Sequence, residues 1–171
     1  IKAEVAPDLH IHLLDGKVYF ELPVDLINKD MLIGSTVTSI SDNGNAVVGS
    51  KPTDLLHVMF TRNKTHVQLR QVNTDYITGS TQIDEALRKS TLGAIISNQK
   101  IQAYNNDSTA IVFDMTGVFL SDNKKMSPFD RNSIYGMYNR TENYQSDCSY
   151  ISQIKAFKDN VSIKSCLSYT F

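Results

Sequence analysis

Histidines 10, 12, 57 and 66 are the side chains of this sequence best suited to hold a metal or move a proton near neutral pH. A helical zinc-protease site needs H-E-x-x-H: two imidazoles one turn apart and a glutamate to activate the bound water. Here the four histidines are followed by Ile11, Leu13, Val58 and Val67, so that motif is absent. One other grouping remains. His10 and His12 lie two apart in a strand-like run and so share a face, and Glu21 falls opposite His10 if the run folds back at Asp15-Gly16. Two imidazoles and a carboxylate form a ligand set that suits zinc. The plainer reading of the same residues is the solvated outer face of a hairpin whose inner face is apolar. No cofactor is expected in this chain, and no residue is assigned a catalytic role.

Other chemistries are thinly represented. The sequence has no G-x-S-x-G elbow, and neither cysteine is flanked by histidine. No glycine-rich turn follows a strand and opens a helix, as a phosphate loop would. The segment 129–150 mixes Tyr135, Tyr138, Tyr144 and Tyr150 with Arg140 and several asparagines. Flat aromatic rings beside amides suit a surface for glycans or extracellular proteins, with Tyr135, Tyr138, Tyr144 and Arg140 as its contacts. The alternative is a loop whose tyrosines fold back over a sheet. Asn63-Lys-Thr65, Asn106-Asp-Ser108 and Asn139-Arg-Thr141 fit the N-glycosylation pattern, a short match that chance supplies often.

The elements that would position these residues are mostly strands. Leu9–Leu14 and Lys17–Leu22 flank Asp15-Gly16, a pair favoured in type I′ turns; Leu13 then faces Val18 and Ile11 faces Phe20, all on a core face. Met31–Ile40 and Ala46–Gly49 flank Asn43-Gly44, a second hairpin signal. Leu55–Thr61 and Thr65–Val72 form a third pair around Asn63-Lys64, in which Phe60 would face Val67 and Val58 would face Leu69. Ile83, Leu87 and Ala94 fall at helical spacing after a Ser80/Thr81 cap, which predicts a helix over about 81–97. Strands resume at Lys100–Tyr104 and Thr109–Leu120, and 121–147 reads as a long polar loop. A last hairpin joins Tyr150–Phe157 to Val161–Tyr169, pairing Ala156 with Ile163 and Tyr150 with Tyr169. That register sets Cys166 opposite Gln153, too far along the strand from Cys148 for a disulfide, so two free thiols are expected. The expected fold is α+β, mainly β: an antiparallel sheet of successive hairpins with one helix packed on it.

With 171 residues the chain suffices for one filled core, and its 41% apolar content is that of a globular domain. A net charge of −1 gives no electrostatic basis for nucleic-acid binding. No apolar run approaches the ~20 residues that cross a bilayer. Residues 1–8 read as an N-terminal tail and 9–171 as a single accessory domain. Phe171 falls within a strand-like run, so both ends read as cut points in a longer protein.

The order of motifs also carries a family resemblance. Asp15-Gly-Lys-Val-Tyr-Phe-Glu-Leu-Pro23 is followed by Asp25–Gly34, Ile101-Gln-Ala-Tyr-Asn105, Val112-Phe-Asp-Met-Thr116 with Phe119, and Ile154–Val161. Together these resemble the domain of unknown function near the N-terminus of large bacterial zinc-dependent metalloproteases of the met-zincin type, over about Leu9 to Phe171. Lys158 departs from the pattern, standing where a proline is expected before Asp159-Asn160. The resemblance implies an exported parent protein, periplasmic, cell-envelope or secreted, whose zinc motif lies in a separate, later domain. It implies that this chain is the non-catalytic companion of that domain, packing against or positioning it. The second reading is an extracellular glycan- or protein-binding module that uses the Tyr-rich loop.

Overall fold

In the computed structural model, residues 2–5, 9–42, 44–72, 82–83, 92–130, 141–157 and 159–171 are described. The Asp15-Gly16 turn starts the fold. Both residues take positive φ, 51° and 76°, as a type I′ turn requires. Strands β2 (Leu9–Leu14) and β3 (Lys17–Pro23) therefore pair as the sequence expects, Leu13 with Val18 and Ile11 with Phe20. Lys2–Val5, read from sequence as part of a tail, instead form strand β1 along the far edge of β2. They supply partners to backbone groups that an edge strand would otherwise leave open.

The other strands of the sheet are β4 (Asp30–Ile33), β5 (Leu56–Arg62), β6 (His66–Gln71), β7 (Ala94–Tyr104) and β8 (Ala110–Asp114). The eight strands run in the order β1-β2-β3-β8-β7-β6-β5-β4, antiparallel throughout. The fold is thus the expected mainly-β, antiparallel α+β type.

Aromatic contacts reveal the sheet's curvature. Strands β3 and β5 stand four places apart, which in a flat sheet is about 19 Å at ~4.8 Å per step. Yet the rings of Phe20 and Phe60 are 6.1 Å apart, and Phe113 on β8 touches both, at 6.1 and 5.6 Å. The sheet is rolled into a half-barrel around these rings. Its inner rows are Ile11, Val18, Leu22, Val58, Val67, Leu69 and Ile111, each no more than 2% exposed. Burial of each such side chain contributes about 1.5–3 kcal/mol.

Two further pieces close the half-barrel. Past Asp114 the chain turns into the short helix α1 (Thr116–Phe119). The Val18 N–H donates to the Thr116 hydroxyl at 2.9 Å, and the Met115 N–H to the Val18 carbonyl at 2.8 Å, so α1 continues the β3 edge. Phe119 stacks on Phe20 at 5.9 Å. Strands β10 (Tyr150–Ala156) and β11 (Val161–Cys166) form a separate hairpin against β1, bringing Ile151 and Ile154 into the core. The short pair β9 (Asn143–Tyr144) and β12 (Tyr169–Thr170) follows.

Several sequence expectations need correction. The β5–β6 register is shifted by two: Phe60 pairs with Leu69 and Arg62 with Val67. The Asn63 N–H donates to the His66 carbonyl at 3.0 Å and the Asn63 carboxamide oxygen accepts the backbone N–H groups of Thr65 and His66 at 2.9 and 2.8 Å, so the two-residue loop is Lys64-Thr65, one residue later than expected. Asn43 of the expected Asn43-Gly44 turn lies outside the described residues, and among the described ones β4 ends at Ile33 and pairs with β5, not with Ala46–Gly49, while Val37 exchanges bonds with Gly49 and Ser50 in a loop. Ala94–Ser97 are strand, not the end of a helix. Of the expected helix Gln82 and Ile83 are helical, and 84–91 lie outside the described residues. In the last hairpin Ala156 pairs with Val161 and Tyr150 with Cys166. The loop there is closed by the Phe157 N–H donating to the Asn160 carbonyl, and a bulge falls between Ile151 and Gln153.

Candidate functional site

Inside a half-barrel every inward position should be apolar, because a polar group there loses water without a guaranteed partner. On one side the pattern breaks. The inner row of β6 runs Val67, Leu69, Gln71, and their neighbours on β7 include Gln99, opposite Val67, and Ser97, opposite Leu69. Gln71, Ser97 and Gln99 thus put two amides and a hydroxyl where the core pattern calls for hydrocarbon.

Ser97 and Gln99 border a cavity of about 470 Å³ between the start of β7, helix α1 and the segment after it. The β7 wall is Ile95–Gln99, and the facing wall is Gly117, Val118, Ser121, Asn123 and Lys125. The Gln99 amide donates to the Ser97 hydroxyl at 3.0 Å, and the Asn123 carboxamide oxygen accepts the Lys125 N–H at 3.1 Å. Lys125 Nζ reaches across to the Gln71 carboxamide oxygen at 2.5 Å and spans the mouth. Among the described residues the lining is therefore amide, hydroxyl and a single ammonium, set among isoleucine and valine. Such groups can hold a ligand by hydrogen bonds.

Close packing positions the β7 wall. A Cβ on Gly93 would stand 1.9 Å from the Gln71 carbonyl oxygen, so only glycine lets the chain enter β7 this near β6. Arg70 fastens the same point, donating to the Gly93 carbonyl at 2.9 Å and to the Thr61 hydroxyl at 3.0 Å.

The residues singled out from sequence lie elsewhere. Glu21 pairs directly with His10 in the ladder, and its carboxylate lies 3.5 Å from the diagonal neighbour His12. Among the described residues no group of three or more His, Cys, Asp or Glu side chains is placed to hold a metal ion. Tyr135, Tyr138 and Arg140 lie outside the described residues. Tyr144 packs edge-on against Tyr169 at 5.6 Å, and Phe129 meets Tyr169 at 4.9 Å. Burial first, then the charge of Asp122, the neighbouring Tyr144, the charge of Glu142 and a hydrogen bond to Asp122 push the Tyr169 phenol well above its ordinary value. Asp122 is also held by Lys124 at 2.6 Å. Cys148 and Cys166 are free thiols. Sequence reading missed Gln71, Ser97, Gln99 and Lys125; the available signal was polar residues at inward positions opposite a hydrophobic strand.

Residues 49–171 match the family model described as Domain of unknown function (DUF5117), and residues 9–40 match a second, Domain of unknown function (DUF5118). The chain belongs to the DUF5117 family. No curated protein and no solved structure is significantly similar to it. The DUF5117 match contains β5 to β12, and the DUF5118 match contains β2, β3 and β4. The sheet order interleaves them, with β3 beside β8 and β4 beside β5. The two matched regions therefore share one sheet and one core. Among the described residues no helix is long and apolar enough to cross a membrane.

Proposed function

We propose that this chain is a non-catalytic interaction domain of a larger exported bacterial zinc metalloprotease, and that it packs against and positions the catalytic domain of the same parent chain. The observation that carries the reading is the make-up of the cavity lining: amides, hydroxyls and one ammonium, with no carboxylate, imidazole or thiol among its described residues. That set favours holding over transforming. The motif order from Asp15 through Val161 supplies the protease context. A second feature supports the docking role. Leu32 on the edge strand β4 and Leu55 beside β5 are 68% and 66% exposed. Leu32 lies opposite His57, two residues beyond Leu55, so the two leucines are diagonal neighbours at the sheet's open end. Apolar surface at an open sheet edge is what a packed neighbour covers.

The test is a deletion. The parent protein is produced with and without this domain, and the melting of its zinc-bearing segment is followed by calorimetry. The reading expects zinc to be retained and the melting temperature to fall by several degrees, because a bound neighbour stabilises the folded state. Identical melting in both forms, or a parent reading frame without a zinc motif, overturns it.

A further inference from the structure

We infer that the mouth of the half-barrel binds the carboxylate end of a short, largely apolar peptide. The inference rests on reading the mouth as a binding site and adds the ligand's class. Three observations lead to it. First, the groups that line the mouth are mostly donors once their internal bonds are counted, apart from Ser121, which gives its proton to the Gly117 carbonyl at 2.7 Å. Gln99 spends an N–H on Ser97, which keeps the Ser97 hydroxyl proton for a ligand. Asn123 spends its oxygen on the Lys125 backbone and keeps its amide N–H groups. Lys125 spends one N–H on Gln71 and keeps two. Such a set calls for acceptors, and a carboxylate supplies the strongest.

Second, the charge is lopsided. Lys125 is the only charged residue among the described residues of the lining, whereas the adjacent Lys124 is neutralised outside it by Asp122 at 2.6 Å and Glu142 at 3.8 Å. A neutral or anionic guest is therefore favoured over a cation. Third, the remaining walls are Ile95, Ile96 and Val118, and among the described residues no aromatic ring lines the cavity. Sugars are commonly held on flat rings flanked by carboxylates, and neither is present among the described residues of this lining. Apolar side chains with backbone amides and one terminal carboxylate match it better. A volume of about 470 Å³ lies in the range of small-ligand pockets.

The test uses the 171-residue chain, labelled with nitrogen-15, and three probes: Ala-Val-Ile with a free carboxylate, the same tripeptide as its C-terminal amide, and maltotriose. Amide shifts are followed during titration. The expected result is saturable movement confined to 95–99 and 117–125 for the acid, with the amide at least tenfold weaker, the loss of one charge-assisted contact. Lys125→Met should bring the acid down to the affinity of the amide and leave the amide unchanged. Lys125 is exposed, so this variant should fold. Gln99→Leu, which removes an amide from the β7 wall, should weaken both peptides. Equal affinity of acid and amide, or shifts that map away from the mouth, overturns the carboxylate assignment. Binding of maltotriose in preference to both peptides overturns the ligand class while leaving a binding domain in place. A domain that fails to stabilise its parent, by contrast, defeats the docking role without touching this titration.

Discussion

Rolling of the sheet can be tested by coupling Phe20 to Phe60. Their rings meet at 6.1 Å edge to face, although their strands are four places apart in the sheet. The perturbation is a double-mutant cycle: Phe20→Leu, Phe60→Leu and the pair. Each residue is nearly buried, at 6% and 3% exposure, so each single change should cost about 1–2 kcal/mol, less than the 3–5 kcal/mol of a full truncation to alanine. An edge-to-face pair contributes roughly 0.5–1.5 kcal/mol beyond area burial, so the double variant should miss additivity by about 1 kcal/mol. Leucine is chosen because two alanines would exhaust the 5–15 kcal/mol typical of a whole domain. The assay is urea unfolding with fixed slope, read by two probes to establish two-state behaviour. Side chains ~19 Å apart, as on a flat sheet, add to within about 0.3–0.5 kcal/mol. Additivity of that quality would refute the half-barrel, and with it the cavity at its mouth.

Gly93→Ala should destabilise the chain by about 1–3 kcal/mol and shift the backbone signals of 94–99, since the new Cβ meets the Gln71 carbonyl oxygen at 1.9 Å; unchanged unfolding would contradict the tight entry into β7. Tyr169 makes an alkaline prediction. Its folded phenol holds its proton beyond the ordinary value near 10, while the unfolded chain releases it there, so unfolding releases a proton and stability falls as pH rises above about 10. Tyr169→Phe should flatten that fall, as measured by urea midpoints between neutral and alkaline pH. The exposed Cys148 should react with a disulfide reagent before the half-buried Cys166; mass mapping of a partly labelled sample reads the order.

Some of this structure was legible in the sequence, and the reason differs by element. Asp15-Gly16 dictates its own turn, because both residues adopt the positive φ that a two-residue loop demands, so every pairing of β2 with β3 follows. At Asn63 the loop is set by a side chain: the carboxamide reaches back to two backbone N–H groups, and the register moves by two. An even shift keeps Phe60, Val67 and Leu69 facing inward, so the core was readable where the partners were not. The bulge between Ile151 and Gln153 has no local signature and altered the last hairpin further. Ala94–Ser97 misled because Ile83, Leu87 and Ala94 match a helical period, yet the β6 edge claims Ala94 as a strand. The mouth was hidden for the same reason. Ser97 and Gln99 count as inward only after the β6–β7 register is known, and Lys125 joins them from a segment that looks like plain loop.

The central claim is that this domain docks and holds, and direct titration tests it best. The chain is titrated calorimetrically with the separately produced zinc-bearing segment of its parent at two temperatures. The account predicts saturable one-to-one binding with a negative heat-capacity change, as burial of Leu32 and Leu55 requires, and at least tenfold weakening in the Leu32→Asp, Leu55→Asp variant. Absence of binding heat at both temperatures, or peptide hydrolysis by the chain alone, would contradict it.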